Sequence, residues 1–377
     1  MILDGDLRQI RDATRQFARE RLLPGAAARD RDSRFPAEEI GAMVDLGLFG
    51  MTMPADYGGS GAGSLAFALA VEEVAYADAS CAVILCAHVL SAAIILKYAS
   101  EPHKRRYLPQ LAKGGMLAAF ALTEPRGGSD NASMATRARK SGARYVISGT
   151  KQFITSGSTA QLAIVFATTD PAAGKRGITG FLVPTASKGW IVAHKEEKLG
   201  LKSSDTCQIV LEDVEVAEDL RLGPEGDGLR VALGNLEVGR INIAAVAVGI
   251  AQAAFDVALA YARDREAFGK PIVEHQAVSF RLASMATRIE SARQLVHHAA
   301  ALRDAGIPCL KEACMAKLAA SDMAEQVCSD AIQTLGGYGY VSDFPVERMY
   351  RDARVTRIFE GTNDIQHMVI ARELTRT

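Results

Sequence analysis

The sequence predicts a multi-domain α and β protein, with an all-α domain first, an antiparallel β barrel or sandwich in the middle and a helical bundle last. Apolar residues recur every three or four positions in the first third of the chain. Short β-branched runs divided by turn residues fill the middle third, and the helical period then returns. A chain of 377 residues is also long enough for two or three domains. We expect the domains to span residues 1–118, 119–224 and 225–377.

The first domain is predicted to consist of amphipathic helices. Ile40, Met43 and Leu46 have the spacing of one helix face. The glycine-rich segment "MPADYGGSGAGS" follows no apolar strand and lacks GxGxxG spacing, so we expect a surface loop there and not a phosphate-binding loop. The apolar run 79–96 contains His88 in its middle, and we therefore predict a buried core helix and no transmembrane segment.

The middle domain is predicted to be built from antiparallel strands. Runs such as "RYVISGTKQFITSG" and "QLAIVFATTD" combine β-branched and aromatic residues and end in Gly, Ser or Asp. In "TCQIVLE", Cys207, Ile209 and Leu211 alternate with a second set of side chains. This alternation indicates a strand with one buried face.

The last domain is predicted to be an antiparallel helical bundle. Its helical period begins after the turn "GPEGDG" and continues almost to the end. One helix carries apolar residues in alternating steps of four and three, which is typical of a packed seam. These residues are Val278, Leu282, Met285, Ile289, Ala292 and Val296. Another helix is expected to end at Gly336 and Gly337, because glycine permits the left-handed conformation that terminates helices.

Composition and missing motifs argue against several functions. Lys and Arg number 43 and Asp and Glu 44, so we expect neither nucleic acid nor a membrane surface as a partner. The six cysteines form no CxxC pair and the N-terminus resembles no signal or transit segment, so we expect reduced thiols and a cytoplasmic protein. The sequence has no P-loop, no GxSxG and no metal-ligand spacing of histidines, and no GxGxxG follows a strand. Nicotinamide, P-loop nucleotide, zinc and serine-hydrolase chemistry are therefore disfavoured, and we expect no metal.

Two polar segments, "FALTEPRGGSD" and "KQFITSG", have the composition to hold a large planar cofactor. A flat electron-accepting ring needs hydrogen bonds along its polar edge, which Thr123, Ser129 and Thr155 could supply, and Phe153 could pack against the ring. The alternative interpretation of these residues is ordinary turn chemistry. Similarly, Arg265 either binds a pyrophosphate through two hydrogen bonds or is a solvated charge at a helix end.

Taken together, the motifs resemble those of the acyl-CoA dehydrogenase family, in the same order and over essentially the whole chain. The matching segments are "ALTEPRGGSD", "KQFITSG", "KLGLKSSDTCQIVLEDVEV", "REAFGKPIVEHQ", "QTLGGYGY" and "RDARVTRIFEGTNDIQ". The resemblance implies an N-terminal helical domain, a central β domain and a C-terminal four-helix bundle. It also implies FAD as cofactor, a homotetramer built as a dimer of dimers, and electron-transfer flavoprotein as the electron acceptor.

The resemblance also implies which residues bind FAD. One side of the flavin ring is expected to contact Phe120, Leu122, Thr123 and Ser129, and the other side Phe153, Ile154 and Thr155. The adenosine and pyrophosphate half of an FAD bound mainly to a neighbouring subunit is expected to contact Arg265, Phe268, Gln276, Gln333, Gly336 and Gly337. The flavin phosphates are expected beside Thr362 and Asp364.

By the same resemblance, Glu360 is the catalytic base. It is expected to remove the α proton of a short- to medium-chain acyl-CoA, straight or branched, while N5 of FAD takes the β hydride, which gives the trans-2-enoyl-CoA. The backbone N–H of this Glu and a ribityl hydroxyl of FAD would stabilise the enolate at the thioester oxygen. A minority of the family carries the base at the position of Gly239, so that alternative base is absent here. We interpret Glu237 as non-catalytic, either a helix cap or a solvated charge.

The neighbours of Glu360 are predicted to tune its chemistry. Ile358 and Phe359 would desolvate the carboxylate and raise its pKa, and Gly361 would let the backbone approach the substrate without a Cβ. The resemblance implies substrate contacts by Ser129, Arg240, Gly361 and Arg372. The two arginines could instead form structural ion pairs.

Other functions stay open at this point. The chain could be an acyl-CoA oxidase, a related flavoenzyme acting on a nitroalkane or another non-thioester, or a flavin-free helical binding module. Oxidases of this family are usually longer and the nitroalkane type carries Asp as base, so the chain length and Glu360 favour the dehydrogenase. From "LEVGRINIAA" and "GIPCLKEACMAK" we expect a short or branched-short acyl substrate, with medium chains as the alternative.

Overall fold

Helices form the first part of the chain and lead directly into a sheet. The computed structural model describes residues 3–376. The helices of the first part are α1 (Gly5–Phe17), α2 (Ala26–Asp32), α3 (Ala37–Asp45), α4 (Gly63–Ala77), α5 (Ala79–Tyr98) and α6 (Glu101–Ala112). Asp78 caps α5, since its carboxylate accepts a hydrogen bond from the N–H of Ser80 at 2.9 Å. Such a cap satisfies an N–H group that has no partner within the helix.

Helix α5 is the buried core helix that the apolar run predicted. His88 in its middle is only 1% exposed. By length and composition alone, α5 and the helical stretch Gly228–Asp264 could cross a membrane. However, 83% and 67% of their most apolar windows are buried inside the protein, which accounts for their composition and makes this weak evidence for a span.

Eight strands of the middle part form one sheet. They are β1 (Ala118–Ala121), β2 (Arg137–Ser141), β3 (Arg144–Thr155), β4 (Leu162–Thr168), β5 (Ile178–Pro184), β6 (Trp190–Lys195), β7 (Thr206–Ala217) and β8 (Arg221–Leu222). The order across the sheet is β6, β7, β3, β2, β4, β5 and β8, and β1 pairs with β4. The predicted strand in "TCQIVLE" is confirmed as part of β7, where Cys207, Ile209 and Leu211 are buried.

The prediction of purely antiparallel pairing is wrong at β4. Strand β1 runs parallel to β4, with Ala118 beside Leu162, and β2 makes one parallel bridge to β4. The other strand pairs of this sheet are antiparallel. Alternating polarity reports which face of a strand is buried and not the direction of its partner, so the sequence pattern could not reveal the parallel pairs.

The last part of the chain is helical, apart from one small hairpin. Its helices are α7 (Gly228–Leu233), α8 (Leu236–Asp264), α9 (Gln276–Asp304), α10 (Leu310–Leu335), α11 (Gly337–Tyr340), α12 (Val346–Arg354) and α13 (Asn363–Thr375). The hairpin consists of β9 (Glu266–Ala267) and β10 (Lys270–Pro271).

The predicted apolar seam of α9 is confirmed. Its buried members are Leu282, Met285, Ile289, Ala292 and Val296, while Val278 is partly buried against the same core. Helix α10 ends at the predicted glycines, and Gly336 has a positive φ of 61°, although its ψ of −132° is not that of the left-handed helical conformation. The core is continuous from α4 and α5 through α8, α9 and α10 to the sheet. Helical and β parts therefore meet along one packed junction, and the loop between α12 and α13 enters that junction.

A buried ion pair fixes the segment after β1 to β3. Nζ of Lys151 donates to Oε1 of Glu124 at 2.9 Å and to the carbonyl of Leu122 at 3.2 Å. The Lys151 side chain is 0% exposed and that of Glu124 is 6% exposed. The Glu124 carboxylate also accepts hydrogen bonds from the backbone N–H groups of Ala135 and Thr136. Burial lowers the pKa of Lys151 to about 8, and Glu124 opposes that shift.

We predict that Glu124→Gln lowers the free energy of unfolding by about 3 kcal/mol, because it leaves Lys151 as a buried charge without a counter-ion. Denaturant unfolding at neutral pH, followed by circular dichroism, measures the loss. Glu215→Gln is the control, since its side chain pairs with Arg144 but is 60% exposed. That variant should lose less than about 1 kcal/mol. Equal losses in the two variants would contradict this interpretation.

Candidate active site

One cleft of about 560 Å³ opens where the sheet meets α5, α8 and α13. It brings together many of the residues that the sequence singled out: Phe120, Leu122, Thr123, Ser129, Phe153, Ile154, Thr155, Arg240, Glu360, Gly361 and Arg372. Sequence reasoning did not name the residues of its apolar wall, which include Ala87, Leu90, Leu233, Leu236, Leu310, Ile365, Met368 and Val369. These residues look like ordinary core positions in the sequence, so no local signal distinguished them. Leu236 and Leu310 do lie in the two segments from which a short acyl substrate was predicted.

Glu360 lies in an unusual backbone conformation between α12 and α13. Its φ is 54°, and the following Gly361 has a φ of 89°. A non-glycine residue with a left-handed φ costs about 1–3 kcal/mol and persists only where its surroundings enforce it. Thr362 then caps α13, because its hydroxyl accepts a hydrogen bond from the N–H of Ile365. The turn "EGT" therefore brings the chain back from the cleft into a helix.

The Glu360 side chain is partly buried and its carboxylate is incompletely paired. Its Oε2 atom is inaccessible and has no hydrogen-bond partner among residues 3–376. Burial raises the pKa of Glu360 to about 7, while the positive charges of Arg240 and Lys317 act in the opposite direction. A carboxylate of this kind can both accept and release a proton near neutral pH.

Close packing against α8 holds this carboxylate in place. A Cβ atom added at Gly239 would lie 2.4 Å from Oε2 of Glu360 and 2.8 Å from its carboxyl carbon. Position 239 is also where a minority of the family is expected to carry its base. The carboxylate of Glu360 thus occupies the space that any side chain at position 239 would need.

One prediction about the surroundings of Glu360 is wrong. The side chain of Ile358 is 50% exposed and does not line the cleft, so it does not desolvate the carboxylate. Phe359 lines the cleft as expected. The error arose because neighbours in sequence point in different directions around an irregular turn. Most of the burial comes instead from helices that are distant in sequence.

Buried polar side chains that the sequence reasoning did not include support the loop. Nε2 of Gln366 donates to the carbonyl groups of Glu360 at 3.2 Å and Gly361 at 2.8 Å. Nζ of Lys317 donates to the same Gly361 carbonyl at 2.9 Å. The available signal was a charge on the alanine-rich buried face of α10, between Ala316 and Ala320.

Of the two candidate substrate arginines, one is buried in the site and one lies at its rim. Arg240 is 5% exposed and its Nη1 contacts Sγ of Cys314 at 3.3 Å. Arg372 is exposed and forms a surface ion pair with Glu373 at 3.2 Å. The alternative of a structural ion pair therefore applies to Arg372, whereas Arg240 forms no ion pair among the described residues.

Glu237 is neither a helix cap nor a fully solvated charge, since it joins the start of α8 to the segment before α10 and forms an ion pair with Arg303 at 3.9 Å. Its Oε1 accepts a hydrogen bond from the N–H of Cys309 at 3.0 Å, directly before α10. The residue does not line the cleft with Glu360. Its position supports the view that it takes no part in proton abstraction.

The opposite wall of the cleft has features that fit a flat ring system. The pairing of β3 with β7 shifts register between Lys151 and Ile154, which marks a β-bulge. Within this irregularity Phe153 has a φ of 58° and its side chain is 62% exposed. In residues 3–376 the hydroxyl groups of Thr123, Ser129 and Thr155 make no hydrogen bond to the protein, so they are available to a ligand. The residues present thus fit the ring of FAD.

The remaining predicted FAD residues lie away from this cleft. Arg265, Gly336 and Gly337 line a second cleft of about 520 Å³, together with Tyr261 and Tyr338. Gln276, Gln333 and Asp364 are exposed, and Thr362 is the cap of α13. Phe268 is 96% exposed at the turn of the β9–β10 hairpin. A single chain therefore presents two separate groups of the predicted FAD residues.

Comparison with protein-family models gives a match to acyl-CoA dehydrogenases along nearly all of the chain. The N-terminal domain model matches residues 4–115, the middle domain model residues 119–214 and the C-terminal domain model residues 226–375. The chain is 46% identical to an acyl-CoA dehydrogenase of Bacillus subtilis (strain 168) over 366 residues, which are 97% of each protein.

Solved structures agree with this match. Butyryl-CoA dehydrogenase from Megasphaera elsdenii is 40% identical and superposes with a TM-score of 0.98 over 100% of both chains. A chain in a structure described as the electron transferring flavoprotein of Acidaminococcus fermentans is also 40% identical, with a TM-score of 0.99 over 100% of both chains. Domain order, cleft and relatives lead to one conclusion: this chain belongs to the acyl-CoA dehydrogenase family, whose members are FAD-dependent oxidoreductases.

Proposed function

We propose that the chain converts a short-chain acyl-CoA to the trans-2-enoyl-CoA, with Glu360 as the base that removes the α proton. The observation that supports this role is a buried and unpaired carboxylate oxygen on a residue that lines the same cleft as the exposed ring of Phe153. When bound, FAD supplies the hydride acceptor for the β carbon. The residues of the chain must then bind the thioester, exclude water and move one proton.

Burial gives Glu360 the proton affinity that this step needs. The α proton of a thioester is weakly acidic, and a carboxylate with a pKa near 7 is a stronger base than an exposed one. The backbone N–H of Glu360 makes no hydrogen bond within residues 3–376, so it is free to donate to the thioester oxygen. Such a donor in a water-excluded cleft stabilises the enolate as negative charge develops.

The apolar wall of the cleft supports an acyl chain of limited length. Ala87 and Leu90 come from α5, Leu236 from α8 and Leu310 from α10. The butyryl-CoA specificity in the name of the structural relative also favours a short chain. Anaerobic titration of the flavin with straight and branched acyl-CoAs, from butyryl-CoA to palmitoyl-CoA, tests this proposal. Complete bleaching only by long acyl chains would contradict it.

We also propose a homotetramer built as a dimer of dimers, in which FAD is shared between subunits. Arg265 and the exposed Phe268 lie apart from the Glu360 cleft, which suits a cofactor that bridges two chains.

We further propose an electron-transfer flavoprotein as the electron acceptor. One structural relative comes from a structure described as an electron transferring flavoprotein, which supports this partner. All six cysteines are free and buried, which supports a location in a reducing compartment, and we propose the cytoplasm. The α,β-desaturation of an acyl-CoA that we propose also supports a role in fatty-acid β-oxidation.

Glu360→Gln should retain FAD and bind acyl-CoA but lose dehydrogenation by about three orders of magnitude or more, because the amide cannot accept the α proton. Stopped-flow bleaching of the flavin by butyryl-CoA measures the loss. Glu237→Gln, which changes a carboxylate outside the cleft, is the matched control and should stay within about threefold of the parent rate. Normal bleaching by Glu360→Gln would refute the assignment of the base.

The rate of flavin reduction should rise with pH through about 7, the pKa to which burial raises Glu360. The rate increases with pH because only the ionised carboxylate can accept a proton, and protonation below this pH removes the base. Single-turnover rates measured from about pH 5.5 to about pH 8.5 would show this acidic limb. A rate that is constant over this range would contradict the predicted environment of Glu360.

Gly239→Ala should lower the rate of flavin reduction by about ten- to a hundredfold, because its Cβ would displace the carboxylate of Glu360. FAD content should be unchanged, since position 239 does not line the cleft with Phe153 and Thr155. The matched control is Gly41→Ala in α3, where an added Cβ has nothing within 4 Å. Equal activities of the two variants would show that the tight contact at position 239 does not position the base.

A further inference from the structure

A buried lysine lies directly behind the loop that carries Glu360. Lys317 belongs to α10 and its side chain is 0% exposed. Its Nζ donates to the carbonyl of Gly361 at 2.9 Å and to Oδ1 of Asn363 at 2.9 Å. Among residues 3–376 it forms no ion pair within hydrogen-bonding distance of a carboxylate. A buried ammonium group without such a partner is rare and needs negative charge nearby.

The main negative charge near Lys317 is Glu360. Burial lowers the pKa of Lys317 to about 8, the charge of Glu360 opposes this shift most strongly, and Asp322 adds to that opposition. Arg240 and Arg357 favour the neutral lysine. Glu360, the one carboxylate among the described residues that line the cleft, is therefore also the principal counter-charge of this buried lysine.

The groups that face Glu360 come from three helices. Arg240 on α8 and Lys317 on α10 favour its ionised form. On α5, burial raises the pKa of the Cys86 thiol and the charge of Glu360 raises it further, so Cys86 is neutral and contributes no competing charge. The ionisation of Glu360 thus depends on two buried cations, of which Lys317 also holds the loop.

We propose that Lys317 is a positioning residue for the base: its hydrogen bonds hold the 360–363 loop in the conformation that directs Glu360 into the cleft, and its positive charge favours the ionised carboxylate. This inference rests on the proposed role of Glu360. It adds a residue that touches neither the reacting carbons nor the thioester and acts through the loop and the carboxylate.

The hydrogen bonds explain how an unfavourable backbone conformation is maintained. Glu360 and Gly361 both have a left-handed φ, and the Gly361 carbonyl accepts hydrogen bonds from two buried donors, Lys317 and Gln366. Lys317 also contacts Asn363, the first residue of α13. Its ammonium group therefore joins the turn that carries the base to the helix that follows it.

Lys317→Met tests the proposal, because methionine fills a similar volume without charge or donors. At pH 7 we expect the rate of flavin reduction by butyryl-CoA to fall about tenfold, with KM changed less than about twofold. The acidic limb of the pH–rate profile should shift to higher pH by about one unit, because loss of a nearby positive charge raises the pKa of a carboxylate. Much of the lost activity should therefore return at about pH 9.

A second measurement isolates proton abstraction from hydride transfer. Acetyl-CoA has no β carbon to supply a hydride, so exchange of its α protons in D₂O reports the base alone. The exchange, followed by proton NMR with the FAD-loaded protein, should show the same upward shift of the acidic limb in Lys317→Met. A purely structural defect would lower exchange at every pH and leave the limb in place.

Two further variants make the outcome decisive. Lys317→Gln removes the charge but retains two N–H donors, so it should fold even if methionine is not tolerated, and its acidic limb should still move up. Lys311→Met is the matched control, since Lys311 lies on the same helix, is 38% exposed and pairs with Glu312. That control should behave like the parent protein.

The proposal is overturned if Lys317→Met and Lys317→Gln, with normal FAD content and melting temperature, keep the parent pH profiles in both assays. It is also overturned if Lys311→Met shifts them equally. The role of Glu360 fails separately: it would be refuted by full activity of Glu360→Gln, whatever the Lys317 variants show.

Discussion

The carboxylate of Glu360 has to be buried and still be able to ionise, and the structure around the cleft depends on this requirement. Burial in an apolar site disfavours the charged form, which raises its pKa towards the range in which a base is useful. Without enough positive charge nearby, burial would keep the carboxyl group protonated at neutral pH. Arg240 and Lys317 supply positive charge without contacting the carboxylate closely enough to form an ion pair within residues 3–376. Their arrangement keeps the proton affinity between these two limits.

Three parts of the chain that are distant in sequence meet to satisfy this requirement. Helix α8 approaches the carboxylate through Gly239, and α10 contributes the lysine that supports the loop. The bulge in β3 presents Phe153 and its neighbours from the other side. The α, β, α order of the chain matters for this reason: the cleft exists only where helical and β parts pack together.

Much of this architecture could be predicted from periodicity and motifs. The seam of α9, the buried helix α5 and the strand of "TCQIVLE" follow from local patterns, because burial of one face leaves its period in the sequence. The gathering of Glu360 with Thr123, Ser129 and Thr155 was predicted only through the family resemblance. Individually, those short polar segments were equally consistent with turns.

The features that were missed are non-local. The parallel pairing of β1 with β4 depends on how the chain crosses the sheet, and it produces no periodic pattern of apolar residues in the sequence. Ile358 was assigned to the wrong surroundings because an irregular turn separates neighbours, and the contact of Gly239 with Glu360 joins positions over a hundred residues apart. Lys317 was visible in the sequence as a charge on an alanine-rich buried face. Its role could be inferred only once the position of the 360–363 loop was known.

The contact between Gly239 and Glu360 also limits how this site can evolve. Since one carboxylate fills the space beside α8, a chain cannot gain an acid at position 239 while the acid at 360 remains where it is. If Glu360 is the base as proposed, a change that moves the acid to position 239 therefore also requires the side chain at position 360 to be shortened or displaced.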